Sequence, residues 1–402
     1  MMLDFNDALK RILDQVPALD EESAPLSELK GRVLSASIYS DIDLPVANNS
    51  SMDGYAVRAA DLEQAGKEHP ILLRVVGVVP AGTVSDAVVE SRTCVRLFTG
   101  SFLPEGADAV IMQEDTSEVV GGEQIRCLDR VKPRENIRFK GEDVEKGDLL
   151  LESGTRLHIR HLGMVAATGC AEAKVARRPR VAILATGHEL QSPGEVLRPG
   201  AIYESNRIVL GEMVAMCGGL PKICPLVQDD LASTKVALRV AAEENDAVIT
   251  SGGVSVGDYD LIRPAIEALG GHIDFWRIRL RPGKPFVFAE VFGKPLFGLP
   301  GNPVSAITTF MLLARPALLK MQGASDVRPP QLKGRLVETL TNQSDRPHFM
   351  RVYLNENREV TSAGLQDSHA LQSLSKANAW LCVEPGQTLS SGEEVSLIAW
   401  DS

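Results

Sequence analysis

The stretch RVAILAT at 180–186 opens the part of the chain that decides the fold. Two later stretches repeat its pattern of an apolar run that enters a glycine-rich turn: AVITS at 247–251 and PLFGLPG at 295–301. Helix-length segments separate and follow these runs, at 206–216, 231–244, 259–269 and 303–320. Strands that alternate with helices predict an α/β domain with a parallel sheet. In such sheets, ligands bind outside the carboxyl ends of the strands.

Segments on either side of this region have a different character. Before it, short β-rich segments alternate with Gly, Pro and acidic turns at 71–79, 94–98, 109–113 and 124–131. After residue 326, strand-like segments broken by polar turns lie at 333–340, 348–354, 379–385 and 394–400. The fold class predicted from the sequence is therefore multidomain α/β plus β, with a central parallel-sheet α/β domain, a β-rich insert domain and a small C-terminal β domain.

Length and charge limit the classes of function. The chain has 402 residues, more than the roughly 250–300 that one hydrophobic core accommodates. Its 42 Lys and Arg against 53 Asp and Glu give a net charge of −11, which is the wrong sign for a nucleic-acid partner. We find no apolar run near the roughly 18 residues of a membrane span and no secretory signal in residues 1–16. We therefore expect a cytoplasmic protein without a membrane span.

Three loops follow the predicted strands and carry the chemistry of a ligand cradle. They are Thr186-Gly187-His188-Glu189, the run 251–260 that begins Ser251-Gly252-Gly253-Val254-Ser255, and Leu299-Pro300-Gly301-Asn302-Pro303. Glycine lets backbone N–H groups approach an anion, and hydroxyl groups add donors. Each loop alone is also compatible with an ordinary tight turn, but three at one sheet edge favour a binding site.

The third loop also begins a helix. Asn302 is a good N-cap and Pro303 suits the first helical position, so the positive end of the helix would face the crevice. An oxyanion would be stabilised there. Simple capping of the helix is the alternative, and the two roles are compatible.

A local cluster of cations lies in WRIRLRPGKP at 276–285. If this segment is a strand, Arg277, Arg279 and Arg281 share one face, with Lys284 close by, and would bind oxyanions. A solvated charged strand face is the alternative. Acids accompany the cations at Glu189, Asp229, Asp230, Asp258 and Asp260. Such acids suit Mg²⁺ shared with a substrate phosphate, although helix capping also explains several of them.

These motifs together resemble one family over nearly the whole chain: the molybdopterin molybdenumtransferases, called MoeA in bacteria, and the E domain of gephyrin. The resemblance rests on two specific features, the run NSSMDGYAV at 49–57 and the pairing of SGGVSVGDYD at 251–260 with GLPGNP at 298–303. The resemblance also includes FTG at 98–100, PEGAD at 104–108, NIR at 136–138, RPGKPF at 281–286 and TGHEL at 186–190, of which TGHEL is less specific because it also occurs in related pterin-binding proteins.

The resemblance implies domain boundaries and a homodimer. The implied parts are an N-terminal helix on the α/β domain at 1–26, a linker domain at 27–45 and 146–178, a β-rich insert at 46–145, a molybdopterin-binding α/β domain at 179–326 and a C-terminal β domain at 327–402. In the family, the active site lies between the α/β domain of one subunit and the insert of the other. Asp53 and Thr99 would then act across the interface on a site that contains Glu189, Asp229 and Asp260.

The resemblance also implies roles for individual residues. Mg²⁺ would be held by Glu189 and Asp260. The implied substrate-binding residues are Arg138, Asp143, Thr186, Gly187, Ser251, Gly252, Gly253, Ser255, Arg277, Arg281, Lys284, Pro300, Gly301, Asn302, Pro303, Arg351 and Ser373. Arg346 and Ser375 are close alternatives to the last two. His188 departs from the Asp or Ser usual in the family. Arginines stand at 277 and 281, where lysine is frequent, so a planar guanidinium with several N–H donors replaces a compact ammonium group.

The implied reaction is Mg²⁺-dependent cleavage of adenylylated molybdopterin with molybdate bound, which releases AMP and molybdenum cofactor. A molybdopterin adenylyltransferase would supply the substrate, and molybdoenzymes or cofactor carriers would receive the product. A competence-associated hydrolase that shares only the α/β domain is an alternative, against which the SMDGYAV run and the β insert argue. A gephyrin-like scaffold that clusters a membrane receptor is another, and the acids and cations at the strand ends favour an enzyme.

Overall fold

A computed structural model describes residues 2–254 and 260–400. The chain divides into two compact units. The first comprises residues 1–36, 153–162 and 172–402, and the second comprises 37–152 and 163–171.

A six-stranded sheet forms the centre of the first unit. Its order is Leu220–Ile223, Arg180–Ala185, Ala247–Ser251, Lys294–Leu299, Val287–Val291 and His272–Trp276. The first four strands are parallel, which confirms the α/β prediction, whereas Val287–Val291 runs in the opposite direction and pairs antiparallel with both of its neighbours. This mixed edge was not expected. It arises because Phe292 and Gly293, both with positive φ, close a two-residue hairpin of the kind that joins antiparallel strands.

Helices cover both faces of this sheet. They are Asn206–Met216, Leu231–Glu244, Ile262–Ala268 and the continuous segment of Pro303–Thr309, Phe310–Ala314 and Arg315–Met321. One apolar core contains Ile183, Ile249 and Phe310, and the opposite core contains Leu184, Val248 and Leu238. The strands and helices predicted for this region are confirmed. The predicted helix start at residue 259 falls outside the described residues.

The segment 303–321 is long and apolar enough to cross a bilayer by length and composition, whereas the sequence predicted no apolar run of that length. However, 94% of its apolar window is buried inside the protein. Phe310, Leu313 and Leu318 belong to the main core. We interpret it as a core helix.

The N-terminal helix Phe5–Gln15 packs on the same core through Ala8 and Ile12. Asp4 caps it by accepting a hydrogen bond from the amide of Asn6. Two short strand pairs complete this part of the unit: Glu21–Pro25 with Glu172–Ala176, and Leu190–Gln191 with Ile202–Tyr203.

The C-terminal segment of the first unit forms a small closed barrel. Its strand order is Gln331–Leu336, Glu359–Ser362, His348–Leu354, Ala379–Val383 and Glu394–Ala399. Leu340–Thr341 pairs with Thr388–Leu389, and a short helix covers Leu371–Lys376. The barrel has its own apolar core around Val352, Leu381 and Leu397. The predicted C-terminal β structure is confirmed.

The second unit is built on another six-stranded sheet. Its order is Ala109–Met112, Gly54–Val57, Thr93–Leu97, Ile71–Val79, Gln124–Cys127 and Thr116–Glu118. Apolar cores lie on both faces, one around Tyr55 and Leu73 and the other around Val95 and Val110. Two short pairs accompany it, Ile38–Tyr39 with Leu149–Leu151 and Asn49–Ser50 with Ile137–Arg138, and the helix Ile159–Ala167 connects the two units along the chain.

Candidate active site

A cavity of about 610 Å³ lies at the carboxyl ends of the parallel strands in the first unit. All three predicted loops border it. The predicted site residues that line it are Thr186, Gly187, Glu189, Asp229, Ser251, Gly252, Gly253, Pro300, Gly301, Asn302 and Pro303. The loops therefore meet where a parallel sheet places its ligand crevice. Ser255 and Asp258 lie outside the described residues.

Two glycines allow the second loop to approach the first closely. Gly252 and Gly253 have φ values of +88° and +66°, a region that residues with a side chain rarely adopt. A Cβ on Gly252 would lie 2.9 Å from the carbonyl oxygen of Thr186, and one on Gly253 would lie 3.0 Å from the Thr186 hydroxyl. Only glycine fits at both positions without displacing the first loop.

The third loop starts the core helix at Pro303, with Asn302 in the N-cap position. The side chain of Asn302 makes no cap hydrogen bond, and its Nδ2 donates to the hydroxyl of Ser368, at 2.9 Å. Simple side-chain capping is therefore wrong for this residue. The positive end of the helix borders the cavity without a capping side chain of its own.

Two neighbouring acids have different environments. Asp230 caps the helix Leu231–Glu244 by accepting from the amide of Ser233 at 2.8 Å, and its bonds to Ser233 lower its pKa. Asp229 instead lines the cavity and, with Glu189, a neighbouring one of about 540 Å³. Its Oδ2 accepts from the amide of His188, at 2.6 Å. Capping thus explains Asp230, whereas Asp229 faces the site.

Asp260 is a half-buried acid with an incomplete set of partners. Burial raises its pKa to about 7, and the positive charge of Arg263 offsets only part of this effect. Its Oδ1 is buried and has no hydrogen-bond partner among the described residues. Within the described ranges, no group of three or more His, Cys, Asp or Glu side chains is placed to hold a metal ion.

Three domain models together match almost the entire chain. The MoeA N-terminal region (domains I and II) matches residues 3–169, a probable molybdopterin binding domain matches 182–320, and the MoeA C-terminal region (domain IV) matches 333–400. The chain belongs to the MoeA family. The match to the probable molybdopterin binding domain includes all three loops of the cavity.

Several full-length relatives of MoeA type support this assignment. The molybdopterin molybdenumtransferase of Haemophilus influenzae is 38% identical, over 98% of each chain. Molybdopterin molybdenumtransferase 2 of Mycobacterium tuberculosis is 36% identical, over 94% of each chain. The crystal structure of a molybdopterin biosynthesis MoeA protein from Pyrococcus horikoshii OT3 matches with a TM-score of 0.85 and 33% identity, over 100% of both chains.

The cationic segment of this MoeA chain differs from its prediction. The strand ends at Trp276, and Arg277 has a φ of +73°, with its guanidinium stacked 4.2 Å from the Trp276 ring centroid. Arg279 is exposed and donates to the carbonyl of Asp345 at 2.9 Å. The prediction that Arg277, Arg279 and Arg281 share a strand face is therefore wrong, because the alternation stops at Arg277.

Arg281 is held by the barrel rather than by the sheet. Its amide donates to the carbonyl of Pro347 at 2.9 Å, and its carbonyl accepts from the amide of Phe349 at 2.8 Å. Neither Arg277, Arg281 nor the exposed Lys284 is among the described residues that line the main cavity, although Pro285 is. Of these three cations, Arg281 lies where the segment after Trp276 meets the barrel.

The structure brings Arg351 and Ser373 together. Arg351 has no exposed surface, and its Nε donates to the hydroxyl of Ser373 at 2.9 Å. Its Nη2 donates to the carbonyls of Leu365 and Asp367. Its Nη1 is buried without a partner among the described residues. The alternative residues named from the sequence do not form such a pair. Arg346 donates to the carbonyl of Leu280, and the Ser375 hydroxyl donates to a carbonyl within its own helix.

Sequence reasoning missed Asn206, Glu204 and His369 among the residues that line the MoeA cavity. Asn206 is nearly buried, and its Nδ2 donates to the hydroxyl of Ser251 and to the carbonyl of Gly301, both at 2.7 Å. One amide thus joins the second and third loops. The run Glu-Ser-Asn at 204–206, three polar residues ahead of an apolar helix, is the sequence feature that could have indicated a binding role. The same run also fits an ordinary helix start.

The second unit carries the other predicted residues. Asp53 accepts from the amide of Thr99 at 2.7 Å and from its hydroxyl at 2.8 Å. These two bonds lower the pKa of Asp53. Arg138 and Asp143 are exposed, the former on the strand paired with Asn49–Ser50. The predicted pair of Asp53 and Thr99 is thus adjacent, and both residues are exposed.

Proposed function

We propose that this chain is a molybdopterin molybdenumtransferase that inserts molybdate into adenylylated molybdopterin and releases AMP. One observation carries the proposal: the three loops shared with the family converge on one cavity at the strand ends, with Glu189 and Asp229 at its wall. Glycine-rich backbone and a helix start suit the anionic groups of a nucleotide-linked pterin. The acids suit a reaction in which charge changes at a phosphoanhydride.

The proposed oxyanion contacts come from two places. The loop that contains Pro300, Gly301, Asn302 and Pro303, with Thr186, Gly187, Ser251, Gly252, Gly253 and Ser255, would hold the phosphate groups. Arg277, Arg281, Lys284, Arg351 and Ser373 would hold molybdate. The unpartnered Nη1 of the buried Arg351 supports this second assignment, because a buried guanidinium N–H without an acceptor is costly unless a ligand completes it.

Glu189 and Asp260 are the proposed ligands of Mg²⁺. The buried, unpartnered Oδ1 of Asp260 fits a hard cation, which prefers carboxylate oxygens and shares its remaining positions with substrate and water. When bound, Mg²⁺ would offset negative charge on the phosphoanhydride. Asp229, fixed by its bond to the amide of His188, adds a carboxylate at the same wall.

The proposed assembly is a homodimer in which Asp53 and Thr99 of one subunit complete the site of the other, with Arg138 and Asp143 at its rim. The mutual bonds of Asp53 and Thr99 leave one carboxylate oxygen of Asp53 for a ligand, and both side chains are exposed. We place the enzyme in the cytoplasm, where a molybdopterin adenylyltransferase supplies its substrate. Molybdoenzymes or cofactor carriers take its product.

The test is a turnover assay with adenylylated molybdopterin, molybdate and Mg²⁺. AMP release that requires molybdate is the expected result, and no release by the folded protein would refute the proposal. Complementation tests the shared site: mixing inactive Asp53→Asn subunits with inactive Asp260→Ala subunits should restore one intact site per heterodimer. A strictly monomeric but fully active protein would refute the dimer.

A further inference from the structure

The main cavity has few side chains that can carry a positive charge. Its described lining residues include the acids Glu189, Glu204 and Asp229, and no Lys or Arg. Glu204 pairs with Arg207 at 2.9 Å, which leaves the charges of Glu189 and Asp229 at the wall. An anionic substrate is stabilised by positive charge nearby. Among the described lining residues, only His369 has a side chain that can supply it.

The residues on both sides of His369 are held by hydrogen bonds. Ser368 is bonded to the third loop, because its hydroxyl accepts from Nδ2 of Asn302 at 2.9 Å. On the other side, the carbonyl of Ala370 accepts from the hydroxyl of Ser373 at 2.8 Å. The backbone at His369 is therefore fixed next to a loop that borders the cavity.

The side chain of His369 takes no part in these bonds. The residue is exposed, and within the described ranges its imidazole makes no hydrogen bond or ion pair. Arg351 fixes the same segment from the barrel, because its Nη2 donates to the carbonyls of Leu365 and Asp367, at 2.6 and 3.1 Å. An imidazole on a backbone that is already fixed can bind a ligand without a further loss of backbone freedom.

We propose that His369 is a further phosphate-binding residue, whose protonated imidazole contacts an oxygen of the phosphoanhydride in the main cavity. The proposal rests on the proposed function, because the phosphoanhydride belongs to adenylylated molybdopterin. An imidazolium donates a charge-assisted hydrogen bond to a phosphate oxygen. Its charge also offsets that of Glu189 and Asp229 at the same cavity. When the neutral imidazole meets the anion, one proton moves from solvent to the ring, and no covalent bond changes.

Other titratable groups must be separated from His369. The described titratable residues that line the cavity are Glu189, Tyr203, Glu204, Asp229 and His369. Of these residue types, only histidine ordinarily titrates between pH 5 and 8. Asp367 stands two residues before His369 in the chain. Burial raises the pKa of Asp260, which is not among these lining residues, to about 7. A pH dependence must therefore be assigned with variants of His369.

The experiment is calorimetry of ADP-ribose binding to the full chain at a fixed Mg²⁺ concentration, between pH 6 and 8. The phosphoanhydride of ADP-ribose keeps its two negative charges throughout this range, so the ligand itself does not titrate. The affinity of the wild type should increase as the pH falls, by up to about tenfold for each unit. Buffers of different ionisation enthalpy should reveal proton uptake on binding.

His369→Gln keeps an N–H donor but cannot carry a charge. At pH 6 it should bind ADP-ribose about tenfold more weakly than the wild type, and the difference should disappear toward pH 8. His369→Lys is charged at every pH tested and should bind more tightly than the wild type at pH 8. His272→Gln, at an exposed histidine that does not line the cavity, is the matched control and should behave as the wild type.

Three results would overturn the proposal: no binding of ADP-ribose by the folded wild type, equal affinities of wild type and His369→Gln at pH 6, or equal proton uptake by the two proteins. The transferase is judged separately, by AMP release from adenylylated molybdopterin. A chain that binds ADP-ribose through His369 but releases no AMP would refute the transferase alone. An active transferase whose KM at pH 6 is unchanged in His369→Gln would refute the role of His369 alone.

Discussion

The two ends of the central strand Ala247–Ser251 show how polar groups divide between stability and function. At its amino end, Asp246 is buried and receives two bonds from Arg177, at 2.7 and 2.8 Å, and one from the amide of Arg180. At its carboxyl end, Ser251 and the glycines after it border a cavity. The polar groups at the amino end of the strand make their hydrogen bonds within the chain, whereas those at the carboxyl end border a cavity where a ligand can bind.

This difference separates structural acids from candidate catalytic ones. Burial alone would raise the pKa of Asp246, but its bonds to Arg177 and Arg180 outweigh burial and lower the pKa. Asp260 has no such partner, and burial raises its pKa to about 7. A buried acid with a lowered pKa stabilises the fold, and one with a raised pKa is a candidate functional group.

The largest expected effect is at the amino end. Asp246→Ala removes the buried partner of Arg177 and should lower the free energy of unfolding by about 3 kcal/mol, with turnover per folded molecule unchanged. Because the pKa of Asp246 is lowered, its contribution is full above the ordinary aspartate pKa and is lost as the pH falls below about 4. Urea denaturation at pH 7 and pH 3 measures both effects. Asp20→Ala, at the exposed partner of Arg177, should change neither.

At the carboxyl end, Glu189→Gln and Asp260→Asn should retain binding of adenylylated molybdopterin and lose AMP release by roughly 100-fold, as when one electrostatic group is removed from a catalytic site. Excess Mg²⁺ should partly restore turnover, because the variants weaken a cation site. AMP release and substrate binding are measured separately. Normal release by either variant removes that residue from the site.

Arg281→Ala and Lys284→Ala test two cations of the segment 276–285, which the sequence predicted to bind oxyanions. Each should weaken molybdate binding by about 2 kcal/mol if it loses a charged hydrogen bond. Arg279→Ala is the control, since this exposed side chain is bonded to the carbonyl of Asp345. Calorimetry measures the molybdate affinity of all three variants. Unchanged affinity in Arg281→Ala and Lys284→Ala would show that Arg281 and Lys284 do not bind the oxyanion.

The smallest effects distinguish two neighbouring acids. Asp230→Ala removes a helix cap and should slightly lower the melting temperature, with AMP release intact. Asp229→Ala should have the opposite profile, with unchanged melting and reduced release, because its side chain faces the cavity. Equal behaviour of the two variants in both assays would contradict the distinction.

The sequence was sufficient where a local pattern determines the structure. Strands Arg180–Ala185 and Ala247–Ser251 are apolar runs bounded by glycine-rich turns, and the order of elements places their carboxyl ends together. The convergence of the three loops could therefore be predicted. The resemblance to the family singled out Asp53 and Thr99, whereas the hydrogen bonds between them were found only in the structure.

The sequence was insufficient where contacts between distant segments decide the outcome. Arg277 leaves the strand conformation at a positive φ, and the segment after it is held by backbone bonds of Arg281 to residues 347 and 349 of the barrel. The role of Asn206 depends on two loops that are 45 and 95 residues away along the chain. The periodicity of a short stretch of sequence cannot predict contacts with segments that lie so far away along the chain.

The N-terminal helix has a consequence for synthesis of the chain on the ribosome. Its residues Ala8 and Ile12 pack into the core with Leu318, and the amide of Leu19 donates to the carbonyl of Met321. Roughly 300 further residues must therefore be translated before the first helix can pack against residues 318–321, and contacts between such distant segments form slowly. During that interval its apolar face remains open to water and to chaperones. Emergence of the segment up to residue 321 from the ribosome, rather than folding of the preceding segments, should mark the point at which the helix Phe5–Gln15 becomes resistant to protease.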